Sequence, residues 1–405
     1  MSDIIYYNIT MTGKTYQEGV PASFVEERVQ PLIQNPDDYY LSVVRFSIDG
    51  TWIPIFLCKT VYDPYNPQSP NTTPYIITIT YGNYQFAIPL EFIPESDVPI
   101  PNPPVNINQQ DLTSPYYFVY YYSTIVTMLN NAIYKAFHGF TNAIINPNPG
   151  HHVDGLYDKV PGLSTLPLPY FIYDSELEVF SLIVPYLDNP LAPGVKAYVT
   201  QFDSNNYPVV NVPNAIKIFM NTELSLLIDG FDFFAYDAYT VNLMIIRNFQ
   251  NNYYNPPNLP IPNTPEWLAS TQQYNTIGSL TSIQSIVFTT NTIPVQHEYI
   301  PTNAVVGSAG SQSGNISFRN TLTDFIPSVF ERAGQPRSRY IYNPTAQFRL
   351  ISLKSNQPLT KIDLHMWWSD QYNNLYPLYV SYNQSNSVKL MFIKKSLINY
   401  KYGNI

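Results

Sequence analysis

The stretch LTKIDLHMWWSDQYNNLYPLYVSYNQSNSVKLMFIKK, residues 359–395, decides the fold class of this 405-residue chain. Apolar and polar residues alternate in it over three runs, as they do in strands that bury one face. Polar turns at residues 369–374 and 383–387 separate the runs. The stretch therefore predicts three consecutive antiparallel strands, and two more are predicted just upstream, at residues 279–294 and 341–353.

The N-terminal part also has the pattern of strands. Residues 4–11 alternate, and the line DDYYLSVVRFSIDGTWIPIFLC from Asp37 predicts a pair of strands that turns at Asp49-Gly50. Residues 75–90 predict a hairpin that turns at Gly82-Asn83. In the first strand of the pair, we expect two opposite faces, made of Leu41, Val43 and Arg45 on one side and Val44, Phe46 and Ile48 on the other.

One segment has helical periodicity. It begins at Ser123, a typical N-cap residue, and extends to about Phe137. The apolar residues that recur at the spacing of one helical face are Ile125, Met128, Leu129, Ala132, Ile133, Ala136 and Phe137. We expect this helix to pack on a sheet, because Lys135 and His138 supply too little positive charge for a helix that binds a membrane surface.

The composition favours an all-β protein. The chain has 37 prolines and only 12% charged residues, where about a quarter is usual. Proline disrupts helix interiors but is tolerated in loops between short strands. Apolar strand-like runs also follow one another between residues 169 and 248. This spacing is typical of a β-sandwich or barrel.

Charge and targeting signals exclude several classes of protein. The net charge is −9, and no block of Lys or Arg is longer than a pair, so we expect no direct binding to nucleic acid. No apolar run reaches the ~20 residues of a membrane span, and no secretory signal is visible. The single cysteine, Cys58, fits a chain that folds in a reducing compartment, and we expect it to be buried.

The sequence contains no pattern of catalytic residues. Five histidines are present, and only His151 and His152, with Asp154, cluster, which supplies at most three metal ligands at loop spacing. No G-x-S-x-G motif occurs, and the glycine-rich run at 306–315 lacks the Lys-Ser/Thr ending of a phosphate loop. His365 is interpreted as structural and Asp324 as a cap or turn residue. We therefore expect no enzyme and no catalytic, cofactor-binding or metal-binding residues.

Several blocks of sequence, taken in order, resemble the penton, or vertex, minor capsid proteins of Sputnik-like virophages and related polinton-like viruses. The resemblance extends from near residue 35 to the C-terminus. Its blocks are NPDDYYLSVVRFSIDGTWIPIF, STIVTMLNNAIYKAF, PYFIYDSELEVFSL, IKIFMNTELSLLIDGF, SIQSIVFTTNTIPV, TLTDFIP and YIYNPTAQFRLISL, followed by the stretch at 359–395.

The resemblance implies a single jelly roll that stands upright at an icosahedral fivefold vertex as a homopentamer. Its implied partners are hexon-like trimers of a double jelly-roll major capsid protein, with a host-cell receptor as a further one. The implied location is the virion, after folding in the host cytoplasm or virus factory. A jelly roll needs ~180 residues or fewer. The surplus implies a large inserted, mostly β domain that rises from the outer face.

The Pro-rich segments near residues 95 and 260 suggest where this insertion begins and ends. The expected division is residues 1–95 for the N-terminal part of the jelly roll, 96–274 for the inserted outer domain with room for some jelly-roll strands, and 275–405 for the C-terminal part. An alternative is a β-sandwich attachment module that binds a receptor or glycan. In that case the tyrosines and the four tryptophans, Trp52, Trp267, Trp367 and Trp368, would line a sugar platform.

Overall fold

The computed structural model describes residues 3–13, 20–61, 71–81, 84–93, 95, 117–145, 168–186, 188–189, 192–196, 216–231, 233–238, 241–246, 253–254, 266–275, 280, 283–296, 305–306, 312–313, 320–327, 339–342, 349–370 and 373–402. The chain forms two compact units. The first contains Met1–Phe56 and Thr281–Ile405, and the second contains Leu57–Glu95 and Pro103–Leu280.

The first unit is built on eight principal strands. In chain order they are β1 (Ile4–Thr12), β2 (Ser23–Glu27), β3 (Tyr39–Asp49), β4 (Ser285–Thr290), β5 (Asn320–Phe325), β6 (Arg339–Tyr342), β7 (Lys361–Ser369) and β8 (Ser385–Lys394). Short strands accompany them at Val20–Pro21, Val305–Val306, Gln312–Ser313, Ile351–Ser352, Leu375–Pro377 and Tyr379–Val380. The helices among the described residues are α1 (Tyr122–Ile145), α2 (Thr222–Leu227), α3 (Lys395–Tyr402) and a 3₁₀ turn at Pro36–Asp38.

The eight strands form two antiparallel sheets, ordered β1-β8-β3-β6 and β2-β7-β4-β5. Successive strands cross between the sheets, except for β4 and β5, which pair with each other in one sheet, and the first and last strands also pair with each other. This order is that of a jelly roll, so the expected fold class is confirmed. The sheets bury an apolar core that includes Leu41, Phe288, Leu364, Trp368 and Phe392.

The three strands predicted within residues 359–395 are present, but they do not stay in one sheet. β7 pairs with Leu375–Pro377, whereas Tyr379–Val380 pairs with Val20–Pro21. β8 then enters the other sheet, between β1 and β3. The C-terminal strands therefore complete the sheets that the N-terminal strands begin.

A β-bulge in β3 overturns the predicted assignment of its two faces. Lys389 of β8 pairs with Arg45, and the next residue, Leu390, pairs with Val43, so Val44 is an extra residue. Such an insertion reverses the alternation of the strand. Leu41 and Val43 before the bulge, and Phe46 and Ile48 after it, are consequently all buried, while Arg45 is exposed.

The predicted hairpin at Asp49-Gly50 is also wrong. The chain leaves the sheet after Asp49, and the next strand, Phe56–Cys58, pairs with Tyr117–Val119 instead. Asp49 is buried and tied to the C-terminal part of the chain. Its carboxylate accepts a hydrogen bond from the Ser381 amide (3.1 Å), and its own amide donates to Asn386 Oδ1 (2.7 Å).

The second unit contains a five-stranded and a four-stranded sheet. In spatial order, the first consists of Phe233–Ala238, Val241–Ile246, Lys217–Asn221, Thr72–Tyr81 and Tyr84–Glu91, and the second of Tyr253–Tyr254, Glu266–Thr271, Val179–Tyr186 and Tyr170–Asp174. A further hairpin joins Asp188–Asn189 to Ala192–Lys196. α1 packs against the 72–91 hairpin and against Tyr170–Asp174, as expected for a helix with one apolar face.

The hairpin predicted at residues 75–90 is confirmed, since its strands pair up to Tyr81 and Tyr84. It belongs to the second unit, however, because Thr72–Tyr81 also pairs with Lys217–Asn221. The first segment of the jelly-roll unit thus ends at Phe56 rather than at residue 95. Most of the Pro-rich segments proposed as boundaries lies outside the described residues.

α1 begins at Tyr122, so Ser123 lies inside its first turn and is not the predicted N-cap. The buried carboxylate of Glu95 takes that role. It accepts hydrogen bonds from the amides of Tyr120 (3.0 Å) and Tyr121 (3.2 Å) and from the Thr124 hydroxyl. A carboxylate at this end of a helix satisfies free amides and interacts favourably with the helix dipole.

We expect Glu95→Ala to lower the free energy of unfolding of the second unit by about 2 kcal/mol, because buried donors lose a charged acceptor. Glu95→Gln should cost roughly half as much, since its amide retains one acceptor oxygen. Chemical denaturation followed by circular dichroism measures the change. Glu91→Ala is the control: its exposed ion pair with Lys135 (2.6 Å) should contribute less than ~1 kcal/mol. Equal losses in Glu95→Ala and Glu91→Ala would contradict the capping role.

Candidate assembly surface

The histidines do not form a catalytic or metal-binding group in the described part of the chain. His138 is exposed on α1, and its ring lies 4.2 Å from that of Tyr134. His365 is partly buried on β7. His151 and His152 lie outside the described residues, so the expected absence of a metal site there stays a prediction. No group of three or more potential metal ligands occurs among the residues that the structure describes.

The structural interpretation of His365 fits its surroundings. Its Nε2 atom lies 3.1 Å from both Asp363 Oδ2 and Asn291 Nδ2. The buried Asp363 carboxylate also accepts hydrogen bonds from the amides of Asn291 (2.8 Å) and Thr292 (2.9 Å) and from the hydroxyls of Thr290 and Thr292. This network fixes the chain where it leaves β4.

Burial by itself would raise the pKa of Asp363, but the hydrogen bonds from His365, Thr290, Thr292 and Asn291 have the larger combined effect. They hold the pKa of this carboxyl well below its usual range. A buried carboxylate that accepts this many hydrogen bonds is a structural anchor, because no oxygen is left open for a reaction.

Two other predicted residues have structural roles. Cys58 is buried, as expected, and burial raises the pKa of its thiol. Asp324 is not a cap or turn residue. It lies within β5, is exposed, and forms an ion pair with Arg349 (3.2 Å).

The tryptophans do not form an open sugar platform. Trp267 and Trp368 are buried, and the Trp368 ring stacks on Tyr376 at 4.2 Å. Trp52 and Trp367 are partly buried, and the Trp367 indole donates to Thr289 Oγ1 (2.9 Å). These rings stabilise the fold rather than present a stacking surface.

The first long edge of the jelly roll, here called the β1/β2 edge, consists of β1, β2 and the following residues Arg28 and Val29. Tyr7 of β1 links the two sheets at this edge by donating a hydrogen bond to Glu26 of β2. Burial and this hydrogen bond raise the pKa of Tyr7 to about 12. On its outer side Tyr6 is 55% and Val25 58% exposed, and Val29 is fully exposed.

The opposite edge, here called the β5/β6 edge, consists of β5, β6, Ile326 and Arg349. Phe325 of β5 and Tyr342 of β6 pack against each other between the two sheets at this edge, with their ring centroids 4.3 Å apart. On its outer side Ile326 is 75% and Ile341 58% exposed. Arg339 donates to the Ser385 carbonyl (2.7 Å), which fixes its guanidinium on the outer face of the sheet.

The jelly-roll core and the two edges are compatible with a capsid protein, and comparison with known families decides the question. The family model described as Sputnik minor capsid protein V18/19 matches residues 5–394. The chain belongs to this family. It is therefore a structural capsid protein of the virophage type, and the resemblance inferred from the sequence blocks is confirmed.

Two relatives come from Sputnik virophage. The chain is 29% identical over 237 residues to structural protein V19, covering 57% of this chain and 96% of the relative. It is 36% identical over 140 residues to uncharacterized protein V18, covering 33% of this chain and 83% of the relative. The family model, which matches residues 5–394, covers both the N-terminal and the C-terminal parts of the jelly roll.

Two solved structures have a similar fold. A chain of the Sputnik virophage, determined by cryo-EM at 3.5 Å, is 28% identical, with a TM-score of 0.73 over 98% of this chain and 99% of that chain. The mavirus penton protein is 15% identical, with a TM-score of 0.57 over 97% of this chain and 100% of that chain. No described helix combines the length and apolarity needed to cross a membrane.

The two edges of the jelly roll were not predicted by the sequence analysis. Each is defined by which strands end up at the margins of the sheets, and the local pattern of a strand does not reveal its neighbours. One available signal was the run SFVEE at residues 23–27, where Phe24 and Val25 precede two glutamates in a strand without Lys.

Proposed function

We propose that five copies of this chain close each fivefold vertex of an icosahedral virus shell. The observation that carries the proposal is the likeness in fold to a penton protein, which extends over 97% of this chain. Membership of a minor capsid family agrees with it, because vertex proteins are present in fewer copies than the proteins of the facets.

The proposal includes the surroundings of the vertex. The neighbours of the pentamer are trimers of a double jelly-roll major capsid protein, and the second unit stands on the outer face, where a host-cell receptor is within reach. The chain does not bind the genome directly, because its net charge of −9 does not favour contact with nucleic acid. The chain folds in the host cytoplasm or virus factory and has no enzymatic activity. The glycan-binding alternative is not favoured, because two of the four tryptophans are buried.

Purified virions should contain about 60 copies of this chain, five at each of twelve vertices. Quantitative mass spectrometry against the major capsid protein measures the copy number, and negative-stain images of the isolated protein should show rings of five. A monomer that binds an oligosaccharide array and is absent from particles would contradict the proposal and support the attachment module.

A further inference from the structure

We propose that the outer face of the β1-β8-β3-β6 sheet binds an acidic segment of a second copy of this chain. Three residues on that face, Arg45, Lys389 and Arg339, make the contact and are here called the basic face. This inference rests on the proposed pentamer and names one of its contact surfaces.

The β-bulge in β3 turns Arg45 outward. Strict alternation after the buried Leu41 and Val43 would direct Arg45 into the core. The extra residue at Val44 reverses the alternation, so Arg45 is exposed and pairs in register with Lys389 of β8. Bulges in sheets commonly re-aim a side chain in this way.

The pairing places two positive charges side by side. Residues directly opposite on antiparallel strands have their Cβ atoms about 5 Å apart, and like charges there destabilise the sheet. The Lys389 ammonium lies 4.6 Å from the centroid of the Tyr6 ring, on the side of β8 away from Arg45. The Arg45 guanidinium has no ion pair among the residues that the structure describes. An unfavourable pair of this kind indicates that a partner supplies the missing negative charge.

The sheet itself supplies almost no negative charge. Its four strands contain the basic residues Arg45, Arg339, Lys389 and Lys394 and a single acidic residue, Asp49. Lys394 is neutralised by Asp3 (2.8 Å) at the far end of β8. Asp49 is buried and accepts hydrogen bonds from Ser381 and Thr51. The three cations of the basic face are therefore not neutralised within the described part of the sheet.

The basic face is accessible and has exposed apolar side chains on both sides. Tyr6 lies one outward position before the row of Lys389, and Ile341 lies one outward position after it. Tyr6 is 55% and Ile341 58% exposed. Arg339 is exposed as well, and it donates to the Ser385 carbonyl (2.7 Å), a neutral acceptor. Tyr and Arg with adjoining apolar area are typical of protein–protein contacts.

The charge of this chain identifies the partner. Each copy has 29 acidic and 20 basic residues, so a second copy offers the negative charge that the basic face lacks. Two basic faces repel each other, which disfavours a twofold contact through them. The contact is instead head-to-tail, the type that closes a ring of five. Nucleic acid is disfavoured, because its binding commonly uses about 6–10 phosphate contacts.

A charge reversal at Arg45 tests the contact. Arg45→Glu places a carboxylate beside Lys389, so the melting temperature of the isolated chain should stay the same or rise. The population of rings should nevertheless fall at least about tenfold, at a concentration where wild type is mostly pentameric, because an attraction becomes a repulsion. Arg45→Lys keeps the charge and should retain most of the rings. Native mass spectrometry measures the ring population.

Lys354→Glu is the matched control. It makes the same kind of charge reversal at an exposed position of the same unit. Lys354 follows Leu353, whose amide donates to the Tyr39 carbonyl at the opposite end of β3 from the bulge. This variant should leave the rings unchanged.

Cross-linking identifies the acidic segment. A carbodiimide joins an amine directly to a carboxylate, so it links only groups that are in contact. Rings assembled from mixed heavy-isotope-labelled and unlabelled copies should yield peptides that join Lys389 of one copy to an Asp or Glu of another. The pair of Lys394 and Asp3, 2.8 Å apart within one copy, is the internal control and should link within the chain.

The outcomes separate this contact from the proposed function. Rings that persist in Arg45→Glu, or rings without a Lys389 link between copies, would overturn the basic face while leaving the pentamer intact. Binding of DNA by wild type but not by Arg45→Glu would assign the face to nucleic acid. A Lys389 link to the major capsid protein in purified virions, and none to this chain, would also overturn the inference. Absence of the chain from virions overturns the proposed function itself.

Discussion

A chain that ends at Gln384, and therefore lacks β8, is expected to lose the folded first unit completely. β8 lies between β1 and β3 and pairs with β1 from Ile4↔Ile393 to Thr12↔Ser385. Without it, β1 loses the one strand with which it pairs among the described residues. The deletion also removes the buried side chains of Val388, Leu390 and Phe392. Losing one large core side chain costs about 2–5 kcal/mol, whereas a whole domain is stable by only about 5–15 kcal/mol.

Hydrogen exchange read by mass spectrometry measures this loss strand by strand. Amides of β1 and β3 should exchange as fast as in an unfolded peptide, while those of α1 in the second unit serve as an internal reference. A chain that ends at Lys394 is the matched control, because it lacks α3 but keeps β8, and it should retain protection in β1 and β3. If residues 1–56 alone melted as a cooperative domain, the dependence on β8 would be disproved.

The sequence correctly predicted the elements that have their whole pattern within one short segment, such as α1 and the hairpin at residues 75–90. All seven residues predicted for the buried face of α1 are buried, from Ile125 to Phe137. The hairpin at 75–90 followed from two strands joined by a two-residue turn. In both cases the pattern that defines the element lies within the element itself.

Features that depend on distant partners were not predicted. The bulge at Val44 arises where β3 pairs with β8, more than 300 residues further along the chain. The side chain that caps the N-terminus of α1 is Glu95, which lies 25 residues before Tyr120, the first residue whose amide donates to it. Ser123, within the helical segment itself, was therefore the more obvious candidate. Residues 57–95 were assigned to the jelly roll because the Pro-rich segment near residue 95 was interpreted as the boundary, and the pattern of a hairpin does not reveal which unit it belongs to.

The candidate assembly surface could be predicted least of all. Whether Tyr6 or Ile341 lies at an interface depends on the position of β1 and β6 within the sheet, which only the order β1-β8-β3-β6 establishes. Alternation in a strand indicates which side chains face outward. It does not indicate which outward residues lie at an edge.

The second large effect is expected at Asp363, the buried carboxylate beside β4. Asp363→Ala should lower the free energy of unfolding of the first unit by about 3–5 kcal/mol at pH 7, because it leaves buried amides and hydroxyls of residues 290–292 without their acceptor. Asp363→Asn should lose less, since one carbonyl oxygen remains. Asp324→Ala, which removes an exposed carboxylate on β5, is the control, with an expected loss below ~1 kcal/mol.

The pH dependence separates the charge of Asp363 from its packing. Its pKa is lower in the folded than in the unfolded chain, where an aspartate has a pKa of about 3.9. The stabilisation is therefore complete above about pH 4 and is lost as the pH falls through the lower, folded-state pKa. Denaturation at several pH values should show a smaller difference between wild type and Asp363→Asn near pH 2 than at pH 5. A difference that is the same at pH 7 and pH 2 would mean that shape, and not the negative charge, makes this carboxylate an anchor of the jelly roll.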